Sequence, residues 1–164
     1  MKRTLGSILA LMLVAGGLAL AGPTEEEKIE AAITAVIDAY RIGDYQAMGQ
    51  YYAPEVTMVP SDYAPPIQGW TEAAGRYQQM QAQPGRIELI RENTRIVRRG
   101  NFAWAVYQWR FGALVGRQNM AALGHTTLVL EKRKGRWLIV HNHSSALAAP
   151  SPPPAETPAA KPPS

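Results

Sequence analysis

The sequence predicts an α+β domain, on three observations. Helical periodicity is confined to the first half of the chain, four long segments rich in β-branched and aromatic residues fill the second, and glycine turns separate some of those segments. Helices gathered ahead of an antiparallel sheet must cover one of its faces, so the sheet is expected to curve around them. The 164 residues suffice for one ordinary domain but not for two once the ends are set aside.

The elements follow in order. Residues 24–42 carry Ile29, Ala32, Ile33, Val36, Ile37 and Tyr40 at the spacing of one helical face. Thr24 followed by three glutamates suits a helix start, because a hydroxyl cap and early acids both favour the N-terminus. Gly43 ends this helix, and Asp44 caps a short second one running to about Tyr52. After Pro54, "EVTMV" reads as a strand, followed by the Pro-rich loop "PSDYAPPIQG". A third helix is predicted over 71–83, stopped by Pro84-Gly85. Four strands come next: "RIELIRENTRIVRR", "NFAWAVYQWRFGAL", "MAALGHTTLVLEKR" and "RWLIVHNHSSAL", with turns at Arg99-Gly100-Asn101 and Lys134-Gly135. There is no internal repeat.

The ends differ in composition from the domain. Lys2 and Arg3 precede an apolar run over 5–20, and Ala19-Leu20-Ala21 has the small-x-small pattern of a cleavage site. Residues 1–21 are therefore expected to be a secretory signal peptide and 22–149 the folded domain, periplasmic or secreted. The alternative is a retained anchor, since the run is only slightly shorter than the roughly 20 residues that span a bilayer. No cysteine follows it, which excludes a lipid-anchored form. Residues 150–164, "PSPPPAETPAAKPPS", have nothing large and apolar to bury and are expected to be a disordered tail.

With no cysteine, an exported domain must take its stability from its core. The chain has 17 basic residues, two of them Lys2 and Arg3, against 13 acidic, so the mature form carries only about +2. The one basic cluster, "EKRKGR" over 131–136, sits on a hairpin turn, where solvated charge explains it. No nucleic-acid partner, no membrane contact after signal cleavage and no cofactor are expected.

Three stretches carry a family resemblance: "RIGDYQAMGQYYAPEVTMVP" (41–60), "IQGWTEA" (67–73) and "HTTLVLEKRKGRWLIVHNHSS" (125–145). In this order they resemble the SnoaL-like branch of the nuclear transport factor two-like superfamily, over about residues 25–147. The last is also similar to the association domain of calcium/calmodulin-dependent kinase, with its G-x-W-x-x-V-H-x-H-x-S pattern. The resemblance implies a cone-shaped barrel, a curved antiparallel sheet wrapped around three N-terminal helices. It also implies a cavity open at one end and, often, a homodimer formed sheet to sheet. The superfamily includes ketosteroid isomerase, polyketide cyclases, dehydratases and members with no catalysis, so function must be argued from the site.

Ketosteroid isomerase relies on an Asp base, with a Tyr and a protonated Asp holding the oxyanion. Matched on Gly43-Asp44, this chain has Val36 at the Tyr position, Pro60 at the base, and Gly124 or His125 near the second Asp. That catalytic set does not carry over, although Asp62 and Tyr40 stand nearby in sequence.

The remaining candidates are read from residue type. Strand alternation puts Trp137, Ile139, His141, His143 and Ser145 on one face, and His125, Thr127, Val129 and Glu131 on the matching face of a neighbour. A metal needs three or four converging ligands, and His-x-His lacks a definite third, so no metal site is expected. A neutral histidine can move a proton, which makes His141, His143 and His125, helped by Asp62, the candidate catalytic groups. The alternative is a histidine pair bonded across the sheet or at a dimer contact. Tyr40, Tyr51, Tyr52, Tyr63, Trp70, Tyr107 and Trp109 are candidates to line a pocket for a flat apolar ligand, against the alternative of plain core. Arg91, Arg95 and Arg110 fall within strands; one pointing inward would need a partner and would favour an anionic ligand, and Arg110 is the candidate. Binding of a small, largely apolar molecule is the leading functional expectation. A cyclase, isomerase or dehydratase using a histidine is the second, and an oligomerisation module using the sheet face is the third.

Overall fold

The computed structural model describes residues 22–80, 87–115 and 118–148. The expected leader and Pro-rich tail lie outside them, as do Pro84 and Gly85. Helix α1 (Glu25–Ile42) opens on a reciprocal cap. Thr24 Oγ1 accepts the Glu27 amide at 3.2 Å, and the Glu27 carboxylate accepts the Thr24 amide at 2.6 Å. Gly43 closes the helix in the left-handed region, φ 72°, where glycine alone pays no steric penalty. The buried stripe contains Ile29, Ala32, Ile33, Val36 and Ile37 as the periodicity predicts.

Asp44 caps α2 (Tyr45–Gly49) through the Ala47 amide at 2.9 Å. This helix stops short of the expected end, and Tyr52 begins strand β1 (Tyr52–Val59) instead. β2 (Ile67–Gln68) and α3 (Trp70–Met80) follow, then four long strands: β3 (Ile87–Arg99), β4 (Phe102–Val115), β5 (Gln118–Arg133) and β6 (Arg136–Ala148). Among the described residues no helix is long and apolar enough to cross a membrane.

The strands form one sheet in the order β2-β1-β6-β5-β4-β3, curved and unclosed. The sheet wraps the helices as the expected open cone, with β2 and β3 at its two edges. One pair departs from the antiparallel pattern: β1 lies parallel to β6, joined by a crossover that runs through the rest of the domain.

The concave face packs on α1. Ile29 and Ile33 from the helix meet Leu128, Leu130 and Ile139 from the sheet, all with essentially no solvent exposure. At about 25 cal/mol per Å² of apolar surface removed from water, this cluster supplies the main drive for folding in a chain without disulfides.

A bulge in β6 decides what the sheet shows on each side. Leu130 pairs with Ile139 while Val129 pairs with His141, so Val140 is an extra residue with no partner on β5. Leu130 and Val129 point to opposite faces, and their partners Ile139 and His141 therefore do too. Before the bulge Trp137 and Ile139 face the helices; after it Asn142, Ser144 and Ala146 do.

The first turn of α1 is tied to the last hairpin by Glu25. Its carboxylate accepts from Trp137 Nε1 at 2.9 Å and pairs with Lys132 at 2.7 Å and Lys28 at 2.8 Å. Lys132 and Lys28, the two largest influences, bring its pKa from the usual 4.5 down to about 2. A depressed carboxylate pKa contributes stability above the unfolded value that disappears as pH falls through the folded one. Wild-type chain should therefore lose stability between pH 4.5 and 2 more steeply than Glu25→Gln. Urea melts across that interval check this, and parallel curves would show that the carboxylate is not coupled to folding.

Candidate ligand-binding cavity

Between α1, α3 and the concave face of the sheet lies a cavity of about 370 Å³. Ile37, Met48, Met58, Phe111 and Met120 supply apolar wall, and Pro60, Ser61 and Asp62 form part of its lining from the loop after β1. Asp62 is held there by an ion pair with Arg76 of α3, and its carboxylate also caps the Ala64 amide at 3.3 Å.

Aromatic residues shape the interior. The Tyr52 ring stacks on Trp70 at 4.7 Å and 14°, Tyr40 meets Tyr77 edge-on at 5.6 Å, and Tyr107 and Trp109 line the wall from β4. A chain of neutral polar groups crosses the cavity lining. Asn142 Nδ2 donates to the Tyr52 hydroxyl at 3.1 Å, Ser144 donates to Asn142 Oδ1 at 3.3 Å, and the Thr126 and Ser144 hydroxyls stand 2.8 Å apart. Tyr107 bonds to Thr126 at one end, and Tyr77 bonds to Tyr52 at the other. Burial pushes the phenols of Tyr52, Tyr77 and Tyr107 upward, so all three are neutral at physiological pH. Among the described residues every buried side-chain polar atom has a partner.

Two arginines approach this space and both are already paired. Arg91 reaches in from β3, lies 5.8 Å from the Tyr107 ring centre, and is ion-paired with Glu30 of α1. It also donates to Thr94 at 2.7 Å and Thr34 at 3.1 Å. The Arg91 hydrogen bonds keep the Glu30 pKa below its usual value. Arg76 is the second, paired with Asp62.

The sequence candidates divide sharply. Tyr40, Tyr52, Tyr107, Trp109 and Asp62 line the cavity. Trp70 does not, but backs Tyr52. Tyr63 is fully exposed on the Pro-rich loop, with φ 62°, and Tyr51 packs at the edge of the core. Arg110 lies on the convex face, paired with Glu92 across β3 and β4. The inward strand arginine is Arg91, and Glu30 takes the charge that was expected to attract an anion.

The three histidines do not line the cavity. His125 pairs with Gln108 and Ser145, His143 with Thr127 and His141 with Val129, all outward-facing positions of the convex surface. Gln108 Nε2 donates to His125 Nε2 at 3.3 Å, and Asn93 Nδ2 donates to Gln108 at 2.5 Å. Unbroken alternation from Trp137 to Ser145 would have put His141 and His143 inside, and the Val140 bulge reverses that. Among the described residues no group of three or more His, Cys, Asp or Glu side chains is placed to hold a metal.

Sequence reasoning missed Thr126, Asn142, Ser144, Tyr77 and the Arg91–Glu30 pair. The available signal was their alternation: Asn142 and Ser144 share a face, and Thr126 sits opposite Ser144 once the strands are paired.

Comparisons with known proteins agree with this geometry. The chain superposes on a nuclear transport factor 2-like superfamily protein from Salmonella enterica subsp. enterica serovar Typhimurium with TM-score 0.68 and 23% identity, covering 76% of this chain and 92% of that one. A ketosteroid isomerase-like protein from Erwinia carotovora atroseptica gives TM-score 0.63 at 16% identity, covering 74% and 95%. A nuclear transport factor 2-like protein from Cytophaga hutchinsonii gives 0.65 at 7% identity, covering 76% and 100%. At these identities the likeness shows the fold alone. No curated protein matches the chain. A SnoaL-like domain model matches residues 29–150, most of the chain, and with the helix-lined cone this places the protein in the SnoaL-like family of the nuclear transport factor 2-like superfamily.

Proposed function

We propose that this is an exported SnoaL-like domain that binds a small, largely apolar ligand in its cone cavity. One observation carries the reading: a cavity of about 370 Å³ with predominantly apolar walls and a short chain of hydrogen-bonded polar groups in its lining. Such a mixture of apolar wall and few convergent polar groups is what small-molecule sites present. The catalytic alternative has no comparable support, because the histidines named for it face the other side of the sheet. Export rests on the sequence of residues 1–21.

Calorimetric titration of the mature chain with neutral polycyclic compounds tests the reading. Ala122→Trp, which fills the cavity from β5, should weaken any binding by about a hundredfold by occupying the site. Affinity that survives this change would place the ligand elsewhere and overturn the proposal.

The convex face supports a second role beside the first. Phe102 and Trp104 toward one end of this face, Leu123 and Leu147 toward the other and Val106 between them are outward-facing and 38–58% exposed, apolar surface interrupted by Gln108, His125, Thr127 and His143. We read it as the contact of a two-fold homodimer, in which the same patch meets itself. Sedimentation velocity at micromolar concentration should give a dimer, and a monomer would remove this role.

A further inference from the structure

Four methionines fall within the described residues, Met48, Met58, Met80 and Met120, and all four line the cavity. The chain has no cysteine, so among those residues every oxidisable sulfur sits in this one site. Local geometry accounts for the placement. On α3, Ala73, Arg76, Tyr77 and Met80 follow one another at helical spacing and face the cavity together. On β5, Met120 shares the inward face with Ala122, two positions further on.

Depth divides the four into pairs. Met48 and Met58 belong to the buried core, at 2% and 5% exposure. Met80 and Met120 are 60% and 54% exposed. A residue that lines a cavity and still shows more than half its surface to solvent stands where the cavity opens. Asp62, ion-paired with Arg76 one turn before Met80, shares this rim with a side chain 55% exposed. The mouth therefore carries the two thioethers that a dissolved oxidant reaches first, since susceptibility follows exposure.

We propose that Met80 and Met120 form an oxidation-sensitive rim: a peroxide converts both thioethers to sulfoxides, and the oxidised mouth binds apolar ligands more weakly while the fold stays intact. This rests on the ligand-binding reading above. A sulfur lone pair attacks one oxygen of hydrogen peroxide, and the S–O bond forms as the O–O bond breaks. The hydroxide released removes the proton left on the transferred oxygen and departs as water. Sulfur loses two electrons and the peroxide gains them. A polar, hydrated group then stands where a polarisable apolar one stood. A ligand must strip water from the sulfoxides or lay its own apolar surface against them, and either lowers its affinity. Met48 and Met58 are closed off from solvent, so the core is spared.

The test treats the full mature chain with hydrogen peroxide. Peptide mapping by mass spectrometry follows each methionine, and calorimetric titration with 2-ethylnaphthalene and 2-ethylanthracene reads affinity. Met80 and Met120 should each gain one oxygen at least about tenfold faster than Met48 and Met58. Affinity should fall about tenfold when the rim pair alone is oxidised, with the urea midpoint unchanged. Methionine sulfoxide reductases A and B with dithiothreitol should restore it. The double variant Met80→Leu with Met120→Leu keeps the rim's volume without its sulfur, so its affinities before and after peroxide should agree. Oxidation of Met48 or Met58 as fast as the rim pair overturns the proposal. So does a wild-type affinity that peroxide leaves unchanged, or one that falls equally in the double variant. If neither compound binds the untreated chain, the ligand-binding reading itself fails and the loss of affinity proposed here falls with it, whereas the order of oxidation is read without any ligand.

Discussion

Gly124→Ala should lose about 2 kcal/mol of stability and weaken ligand binding in the same variant. Gly124 faces inward from β5, opposite Trp109 of β4, and its backbone φ is not what forbids a side chain. The obstacle is space: a Cβ built there runs into the Ser145 carbonyl oxygen and the Trp109 indole. The carbonyl belongs to the β5–β6 ladder and can shift only by distorting that pairing, and the indole must be pushed aside as well. Trp109 lines the cavity, and displacing it changes the shape of the wall. Gly112, also in β4, is the control, since the nearest atom to its Cβ would be Glu88 Cβ at 4.0 Å. Gly112→Ala should stay within about 0.5 kcal/mol of wild type. Urea melts of the two variants check the pair. Equal stability in both would mean that Trp109 packs more loosely than its contact with Gly124 implies.

The same region shows why the fold was legible in the sequence and the site was not. Element type follows from periods that a linear sequence displays: Ile29, Ile33 and Ile37 mark a helical face, and the β-branched and aromatic runs after residue 86 mark strands. The glycine at 43 and the threonine at 24 mark ends by conformation and capping, which are local. Site residues depend instead on register. Asn142 and Ser144 point into the cavity only because Val140 adds one residue to β6, and no turn residue or glycine announces that bulge. Arg91 is inward for a similar reason of pairing, through its opposite number Trp109, and its partner Glu30 lies 61 positions away in the chain. The parallel contact of β1 with β6 is likewise non-local, set by where the helices deliver the chain. Tyrosines proved the better guide to the cavity: Tyr40, Tyr52 and Tyr107 all reach it, because a large ring with one polar tip fits a wall that is mostly apolar.

Asn142 separates the two accounts of the H-N-H stretch. Its amide donates to the wholly buried Tyr52 and its carbonyl accepts from Ser144, so it joins the two halves of the polar chain. Asn142→Leu keeps the volume but removes both bonds at a position only 8% exposed. The Ser144 proton then lacks its acceptor while the Tyr52 oxygen loses its amide donor but keeps the bond from Tyr77, a loss of about 2 kcal/mol dominated by the one group left unsatisfied. Relaxation has one route, reversal of the Ser144 hydroxyl toward Thr126, which would pass the shortage on to the Tyr107 end rather than remove it. The double variant His141→Ala with His143→Ala touches the convex surface instead, and should leave ligand affinity within about twofold because neither ring lines the cavity. Urea midpoints and calorimetric affinities of the two variants, compared side by side, decide the matter. Loss of affinity in the histidine variant with an intact Asn142→Leu protein would return the functional role to the histidines and place the ligand on the convex face.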